Sequence, residues 1–156
     1  MTLITETGSG VTGATSYVSL AEADSHFTAL ANDDWTSAAD GQREEALIRA
    51  ALHIDSFDYP GRVLDWDQGL KWPRSGAYDR DGREISGLPH ALRVAALELA
   101  DTFLKDGAGL DQRSIAREKI GPIEVAYSNG RMEPSFVFRL LRQIGARTGQ
   151  NDVQRG

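Results

Sequence analysis

The sequence contains no cysteine among its 156 residues. This absence excludes a disulfide framework, a thiolate metal site and a cysteine nucleophile, and it favours a reduced compartment. No stretch approaches the ~20 apolar residues that a membrane-spanning helix needs. Residues 1–10 have neither the basic start nor the apolar run of a signal peptide. We therefore expect a soluble protein that is not exported.

The sequence also lacks the residue patterns of most enzymes and metalloproteins. Its three histidines, His26, His53 and His90, are too far apart along the chain for a zinc site. The segment 79–84 lacks the third oxygen ligand and the distal glutamate of a calcium loop, and an Asp-Gly turn explains it. No nucleophile elbow, phosphate-binding P-loop or H-E-x-x-H motif is present. We therefore expect no catalytic residues, no metal and no cofactor.

Positive charge is scarce, with 17 Lys and Arg residues against 23 Asp and Glu, a net charge of −6. This is the wrong sign for a protein whose main task is to hold phosphate backbones. The distribution is uneven, because residues 1–58 carry 2 basic and 10 acidic side chains, whereas residues 111–156 carry 8 and 5. Both an uneven solvated surface and orientation against a charged partner explain such a pattern.

Hydrophobic residues make up 40% of the chain, which is enough for one domain with one core. Apolar residues recur at helical spacing in four segments. Ser19 and Glu22 form a capping box before the first, and Pro89 and Pro134 suit the first turns of the last two. The predicted helices span residues 20–31, 40–58, 89–105 and 134–145.

The remaining segments are predicted to be irregular or β. Gly107 follows the third helix as a stop signal, and residues 115–128 alternate in polarity around Gly121 and Pro122, which predicts a β-hairpin. Residues 59–87 are too irregular for a helix and predict a long loop. The fold class is therefore mainly α: a four-helix core with a long irregular loop and a small β-hairpin, an extended N-terminal arm and a C-terminal tail. We divide the chain into an arm (1–18), a single domain (19–145) and a flexible tail (146–156).

The arm contains a glycine pattern that is typical of dinucleotide-binding proteins. Residues 8–13 match G-x-G-x-x-G, and Asp33 lies 20 residues after Gly13. The context is wrong, because few apolar residues precede the glycines and the first helix starts only after Ser19. We therefore predict an arm without a bound dinucleotide.

The most distinctive local cluster lies in the long loop, at residues 68–76. Trp72 and the adjacent Pro73 can fix the loop onto a helical core, while Arg74 can donate to backbone carbonyls or a carboxylate. We predict that Trp66, Trp72, Pro73 and Arg74 are loop anchors or intersubunit contacts.

A sharper alternative is that this loop binds single-stranded nucleic acid. Aromatic side chains interleaved with basic ones are typical of single-strand binders. The residues concerned are Trp66 and Trp72 with Arg62, Lys71 and Arg74. Four aspartates in the same segment weaken this hypothesis, since they repel phosphates.

Several ordered segments resemble a family of tailed-bacteriophage proteins often labelled "DnaT-like single-stranded-DNA-binding". The resemblance covers about residues 3–128, and its most specific part is the Trp-Pro-Arg-Ser-Gly cluster at 72–76. The other matching segments are Leu3 and Ile4 with the 8–13 arm, 16–19 into 21–24, 46–50 with Ile54 and Asp55, Gly61, residues 81–82 and Pro89.

The resemblance has two functional implications. Members of the family also look like head-to-tail connector proteins, mainly helical adaptors that form a ring of about twelve copies beneath the portal of the capsid. We favour this connector function, because the chain is acidic overall and lacks an OB-like run of strands. On this hypothesis the protein catalyses nothing and contacts its own copies, the portal, a tail or neck protein and passing double-stranded DNA. It would be assembled in the bacterial cytoplasm and located in the neck of the virion. Arg139, Arg142 and Arg147 would then dock on the portal, and the alternative is a single-stranded-DNA-binding replication accessory protein.

Overall fold

The computed structural model describes residues 2–119 and 132–148, with side chains described for residues 2–106 and 136–148. In these ranges the chain forms five helices and one two-stranded antiparallel hairpin, which confirms the mainly α fold class. The hairpin pairs Arg62 with Ser75 and Val63 with Arg74. The elements are α1 (Leu20–Ala29), α2 (Asp33–Ser37), α3 (Asp40–Ile54), β1 (Arg62–Val63), β2 (Arg74–Ser75), α4 (His90–Lys119) and α5 (Met132–Arg142).

Side-chain caps fix the first two helix starts. The Ser19 hydroxyl accepts a hydrogen bond from the Glu22 N–H at 3.1 Å, as the capping box predicts. The Asn32 side chain accepts from the Trp35 N–H at 3.0 Å and starts α2, a short helix where we predicted only a turn. Helices α1 and α3 end two and four residues earlier than predicted, at Ala29 and Ile54.

The core lies mainly between α3 and α4, the pair of helices with the most extensive mutual contact, and α5 packs on α4. Both helices bury several alanines, and such small side chains allow two helix backbones to approach closely. Those that are buried are Ala46, Ala50, Ala51, Ala95, Ala96 and Ala100. The core also includes Phe27 and Trp35, which are both buried and whose ring centroids lie 4.5 Å apart.

Two predictions about α4 and the region after it are wrong. Gly107 does not end the helix, which continues to Lys119 and so includes the first five residues of the hairpin predicted at 115–128. The helix contains two glycines in this stretch, Gly107 and Gly109, each of which costs about 1 kcal/mol, and good helix formers such as Leu110 and Ala116 follow them. The rest of that predicted hairpin lies outside the described residues. The described hairpin lies instead within the long loop.

The N-terminal arm packs against the body of the protein. Ala14, Ser16, Tyr17 and Val18 are buried, and the Gly69 N–H donates to the Val11 carbonyl at 3.0 Å. A side chain at position 69 would meet the backbone of Ala14 at 2.4 Å, so only glycine allows this approach of loop and arm. The arm and the long loop are therefore joined.

The segment after α5 returns to the body. Ala146 is buried, and Arg147 pairs with Asp58 through two backbone hydrogen bonds of 2.9 Å. These residues belong to the segment that we predicted as a tail, of which 149–156 lie outside the described residues. In the part of the chain that the structure describes, no helix is both long and apolar enough to cross a bilayer.

Candidate functional site

The long loop between α3 and α4 is held to the core by Trp72. Its side chain is fully buried, and its ring meets the Tyr59 ring edge-on with centroids 5.6 Å apart. Pro73, which follows a cis peptide bond, is also buried. Because large rings bury much apolar surface, the contact between Trp72 and Tyr59 should contribute strongly to the free energy of unfolding.

A half-buried carboxylate at the end of α3 organises the base of the loop. Asp55 accepts hydrogen bonds from the Tyr17 hydroxyl at 2.5 Å and from the Lys71 N–H at 3.0 Å. The Tyr17 oxygen in turn accepts from the Trp72 N–H at 3.2 Å. Burial raises the pKa of Asp55, and burial together with the nearby Asp55 charge raises the pKa of Tyr17. This network links arm, helix and loop.

The basic side chains beside Trp72 bond to backbone carbonyls of the same loop. The Arg74 guanidinium donates to the carbonyl oxygens of Pro60 at 2.7 Å, Lys71 at 2.9 Å and Gly61 at 3.0 Å. The Lys71 ammonium donates to the Phe57 carbonyl at 2.7 Å. Burial lowers the pKa of Arg74, and neighbouring acidic groups oppose this shift. These two cations therefore hold the loop in shape.

Trp66 differs from the other residues of the predicted cluster in its exposure to solvent. It is 90% exposed, whereas Trp72 is fully buried. Leu64, also in the connection between β1 and β2, is 51% exposed. Asp65 and Asp67 flank the ring in sequence and are exposed, and the Asp65 carboxylate accepts from the Asp67 N–H at 2.9 Å. The result is an exposed tip, residues 64–67, in which the apolar side chains of Leu64 and Trp66 alternate with two acidic ones.

The glycine-rich segment 8–13 binds a carboxylate of its own chain. Glu6 is buried, and its Oε1 accepts from the N–H groups of Gly8 at 2.8 Å, Ser9 at 3.1 Å and Gly10 at 3.0 Å. Its Oε2 accepts from the Val11 N–H at 2.7 Å. Consecutive N–H groups that converge on an anion form a nest. Here the Glu6 carboxylate takes the place that a phosphate would need, so these four N–H groups of the glycine-rich segment already have an acceptor.

The three arginines that we assigned to portal docking are exposed, and two of them lie close together. Arg139 and Arg142 are in the last turn of α5, with their guanidinium carbons 5.9 and 5.8 Å from the rings of Phe136 and Phe138. Arg147 lies beyond the helix end, where its backbone pairs with Asp58. Their role in docking remains a prediction.

The histidines and acids do not form a metal site in the described ranges, where no group of three or more suitable side chains is placed to hold an ion. Sequence reasoning missed Glu6 and Asp55, the two carboxylates that organise the arm and the loop. A glutamate two residues before a glycine run could have indicated the first. Nothing in the spacing indicates that Asp55 would meet residues 17 and 71.

Comparison with protein families matches residues 1–156, the whole chain, to the family described as "Putative DnaT-like ssDNA binding protein". This agrees with the family label in the sequence resemblance and bears on no connector role. Comparison with curated proteins and with solved structures gave no match.

Proposed function

Since the chain belongs to this DnaT-like single-stranded-DNA-binding family, we propose that it binds single-stranded DNA, with Trp66 as the ring on which a base stacks. The observation that carries the proposal is the 90% exposure of this indole at the tip of an otherwise anchored loop. Stacking of a base on an aromatic side chain contributes ~1–3 kcal/mol. A ring that is already exposed needs no rearrangement to stack.

The contact surface differs from the one that the sequence suggested. Trp72 has no exposed surface on which a base could stack, and Lys71 and Arg74 are bonded to backbone carbonyls. Arg62 on β1, two residues before the tip, is exposed and can contact a phosphate. Asp65 and Asp67 repel phosphates, so binding at the tip depends on stacking more than on charge.

The experiment is a fluorescence titration of the protein with a thymidine oligonucleotide. Trp66 is the exposed indole and Trp35 and Trp72 are fully buried, so quenching by DNA would report on the tip. Because both Trp66 variants lack the reporting indole, their affinities are measured by the fluorescence anisotropy of a dye-labelled thymidine oligonucleotide, with the wild type measured in the same way. We expect Trp66→Ala to weaken affinity about tenfold, and Trp66→Phe to retain part of it because a ring remains. Leu64→Ala is the matched control, since it removes exposed apolar area from the same tip without removing a ring. Absence of binding by the wild type would contradict the proposal.

A second candidate is the head-tail connector ring, favoured by the acidic neighbours of Trp66. An apolar tip rimmed by Asp65 and Asp67 suits a basic protein surface better than a phosphate chain. The last third of the chain is net basic and includes Arg139 and Arg142, which are exposed. Contact between the tip of one copy and the basic region of the next would be heterologous and could close a ring.

Light scattering of the protein, alone and mixed with a portal ring, separates the two candidates. The connector hypothesis predicts a ring-sized mass of about twelve copies, alone or with portal, and loss of that assembly in Trp66→Ala. A protein that stays monomeric with portal and binds single-stranded DNA would rule it out. In this hypothesis the partners are other copies, the portal and a tail or neck protein, and the location is the neck of the virion.

A further inference from the structure

A groove with an open mouth and a volume of about 1070 Å³ lies between the segment 79–91 and the C-terminal end of α5. Its lining includes four arginines and three acids, a formal charge of +1 in a chain whose net charge is −6. These charged residues are Arg80, Arg83, Arg139, Arg142, Asp79, Asp81 and Glu84. The groove is therefore a local region of positive charge.

The acids of the groove already have partners within their own loop. The Asp79 carboxylate accepts from the N–H groups of Asp81 at 2.8 Å and Arg83 at 2.9 Å, and from the Arg83 side chain at 3.1 Å. These bonds, led by the one from the Arg83 backbone, lower the pKa of Asp79. The Asp81 carboxylate pairs with Arg83 at 3.3 Å, and that of Glu84 accepts from the Gly76 N–H at 3.1 Å. One arginine and the backbone thus partner all three acids.

The other three arginines have no carboxylate partner among the described side chains. They are Arg80, Arg139 and Arg142, and all three are exposed. Basic residues in the last turn of a helix interact favourably with its dipole, which accounts for part of the placement of Arg139 and Arg142 on α5. That explanation does not extend to Arg80, which comes from a different segment and faces the same groove.

The start of α4 adds to the positive potential. His90 and Ala91, its first two residues, line the groove, and the first turn of α4 contains no acidic side chain. The amino end of a helix carries a partial positive charge that favours anions. Three guanidinium groups and a helix start therefore point to one anionic occupant.

We propose that this groove binds the phosphodiester backbone of single-stranded DNA, an inference that rests on the proposed function. A strand presents one anion per nucleotide, so it can meet guanidinium groups from both walls in turn. Phe136 does not line the groove, but its ring lies under the guanidinium group of Arg139, which does, and it is 40% exposed. An exposed ring beside the groove cations favours a nucleic-acid strand over an acidic peptide as the occupant.

The test compares two double variants that remove the same charge. Arg139→Gln with Arg142→Gln removes two groove cations, whereas Arg49→Gln with Lys105→Gln removes two cations of ion pairs on α3 and α4 outside the groove. The readout is the dependence of affinity on salt, with a thymidine oligonucleotide and with inorganic polyphosphate, which has no bases. We expect the slope of log affinity against log salt to fall in magnitude by about 1.4 in the groove variant and to stay unchanged in the control. Thermal melting verifies that both variants fold.

Each outcome separates the groove from the stacking function. If the groove variant binds the oligonucleotide with the same salt dependence as the wild type, the groove is not the binding site. The proposed single-stranded-DNA binding would then still stand. Polyphosphate binding that the groove variant loses, with no oligonucleotide binding by the wild type, would make the groove a site for another anion and would overturn both the inference and the proposed function. No binding of either probe by the wild type overturns both. Self-association that only the groove variant abolishes, with DNA binding unchanged, makes the occupant a second copy and overturns the inference.

Discussion

Two tryptophans of one loop, at positions 66 and 72, occupy opposite environments. Trp72 has no exposed surface and contacts Tyr59, whereas Trp66 is 90% exposed. The difference comes from their neighbours. Trp72 is followed by a proline and an arginine that donates to three backbone carbonyls at 3.0 Å or less, while Trp66 stands between two exposed aspartates.

The comparison divides the loop into a part that stabilises the fold and a part that is available to a partner. At the base, Asp55, Arg74 and Trp72 connect α3, the loop and the arm, and changes there should lower stability. At the tip, the described contacts of Trp66 and Leu64 leave most of both side chains in water. Changes at the tip should therefore affect binding and leave the fold intact.

The largest effect should follow from removing the buried ring. Trp72→Ala creates a cavity in the core and should lower the free energy of unfolding by ~3–5 kcal/mol. Trp66→Ala is the matched control and should change it by about 0.5 kcal/mol or less, because it removes an exposed side chain. Urea denaturation followed by circular dichroism measures both. Similar losses in the two variants would mean that Trp66 is also packed, and the comparison would fail.

The next largest effect should come from the arginine beside the buried ring. Arg74→Lys keeps the charge but cannot reproduce three hydrogen bonds in a fixed fork, so we expect a loss of about 2 kcal/mol in the free energy of unfolding. Arg62→Lys changes an exposed arginine on the paired strand β1 and should be nearly neutral. Equal midpoints of urea unfolding for the two variants would show that the carbonyl contacts of Arg74 contribute little.

Part of this division could be predicted from the sequence. The capping residues Ser19 and Glu22 and the apolar periodicity fix the helices that form the core, since both depend on local spacing. The Trp-Pro-Arg sequence at residues 72–74 predicted an anchor, because a large ring beside a proline limits the conformations of a loop. The two aspartates beside Trp66 indicated that this ring would be exposed, because charged side chains favour water. We nevertheless grouped Trp66 with Trp72 in the sequence analysis.

The rest depended on contacts between distant segments. The carboxylate of Asp55 accepts from Tyr17 and Lys71, which lie 38 and 16 positions away, and no spacing in the sequence indicates these contacts. The groove combines Arg80 with Arg139 and Arg142, which lie about sixty positions away, and only the packing of α5 brings them together. The continuation of α4 past Gly107 reflects the modest cost of two glycines, Gly107 and Gly109, against the helix formers that precede and follow them.

A third prediction concerns the acid at the base of the loop. Because burial raises the pKa of Asp55 above 3.8, the folded chain retains this proton at pH values where the unfolded chain has released it. The contribution of Asp55 to stability therefore falls as pH rises from about 3.8 through the folded-state pKa. Asp55→Asn removes this dependence, so the stability of the wild type relative to this variant should be lower at pH 7 than at pH 4.

Urea midpoints at the two pH values measure the difference, with Asp58→Asn as a control that removes the same charge at an exposed position. If both variants show the same change in relative stability between pH 4 and pH 7, the change results from net charge and not from the burial of Asp55. A relative stability of wild type and Asp55→Asn that does not change with pH would contradict the prediction.

The smallest effect on stability, and the sharpest test of the exposed tip, is expected for Trp66→Phe. The change should alter the free energy of unfolding by about 0.5 kcal/mol or less, and it should shift the tryptophan emission to shorter wavelength, because Trp35 and Trp72 that remain are buried. In the wild type, acrylamide should quench the exposed indole at every protein concentration if the tip is free. Quenching that weakens as the protein is concentrated would mean that another copy covers Trp66, which would favour a ring contact over a base as its partner.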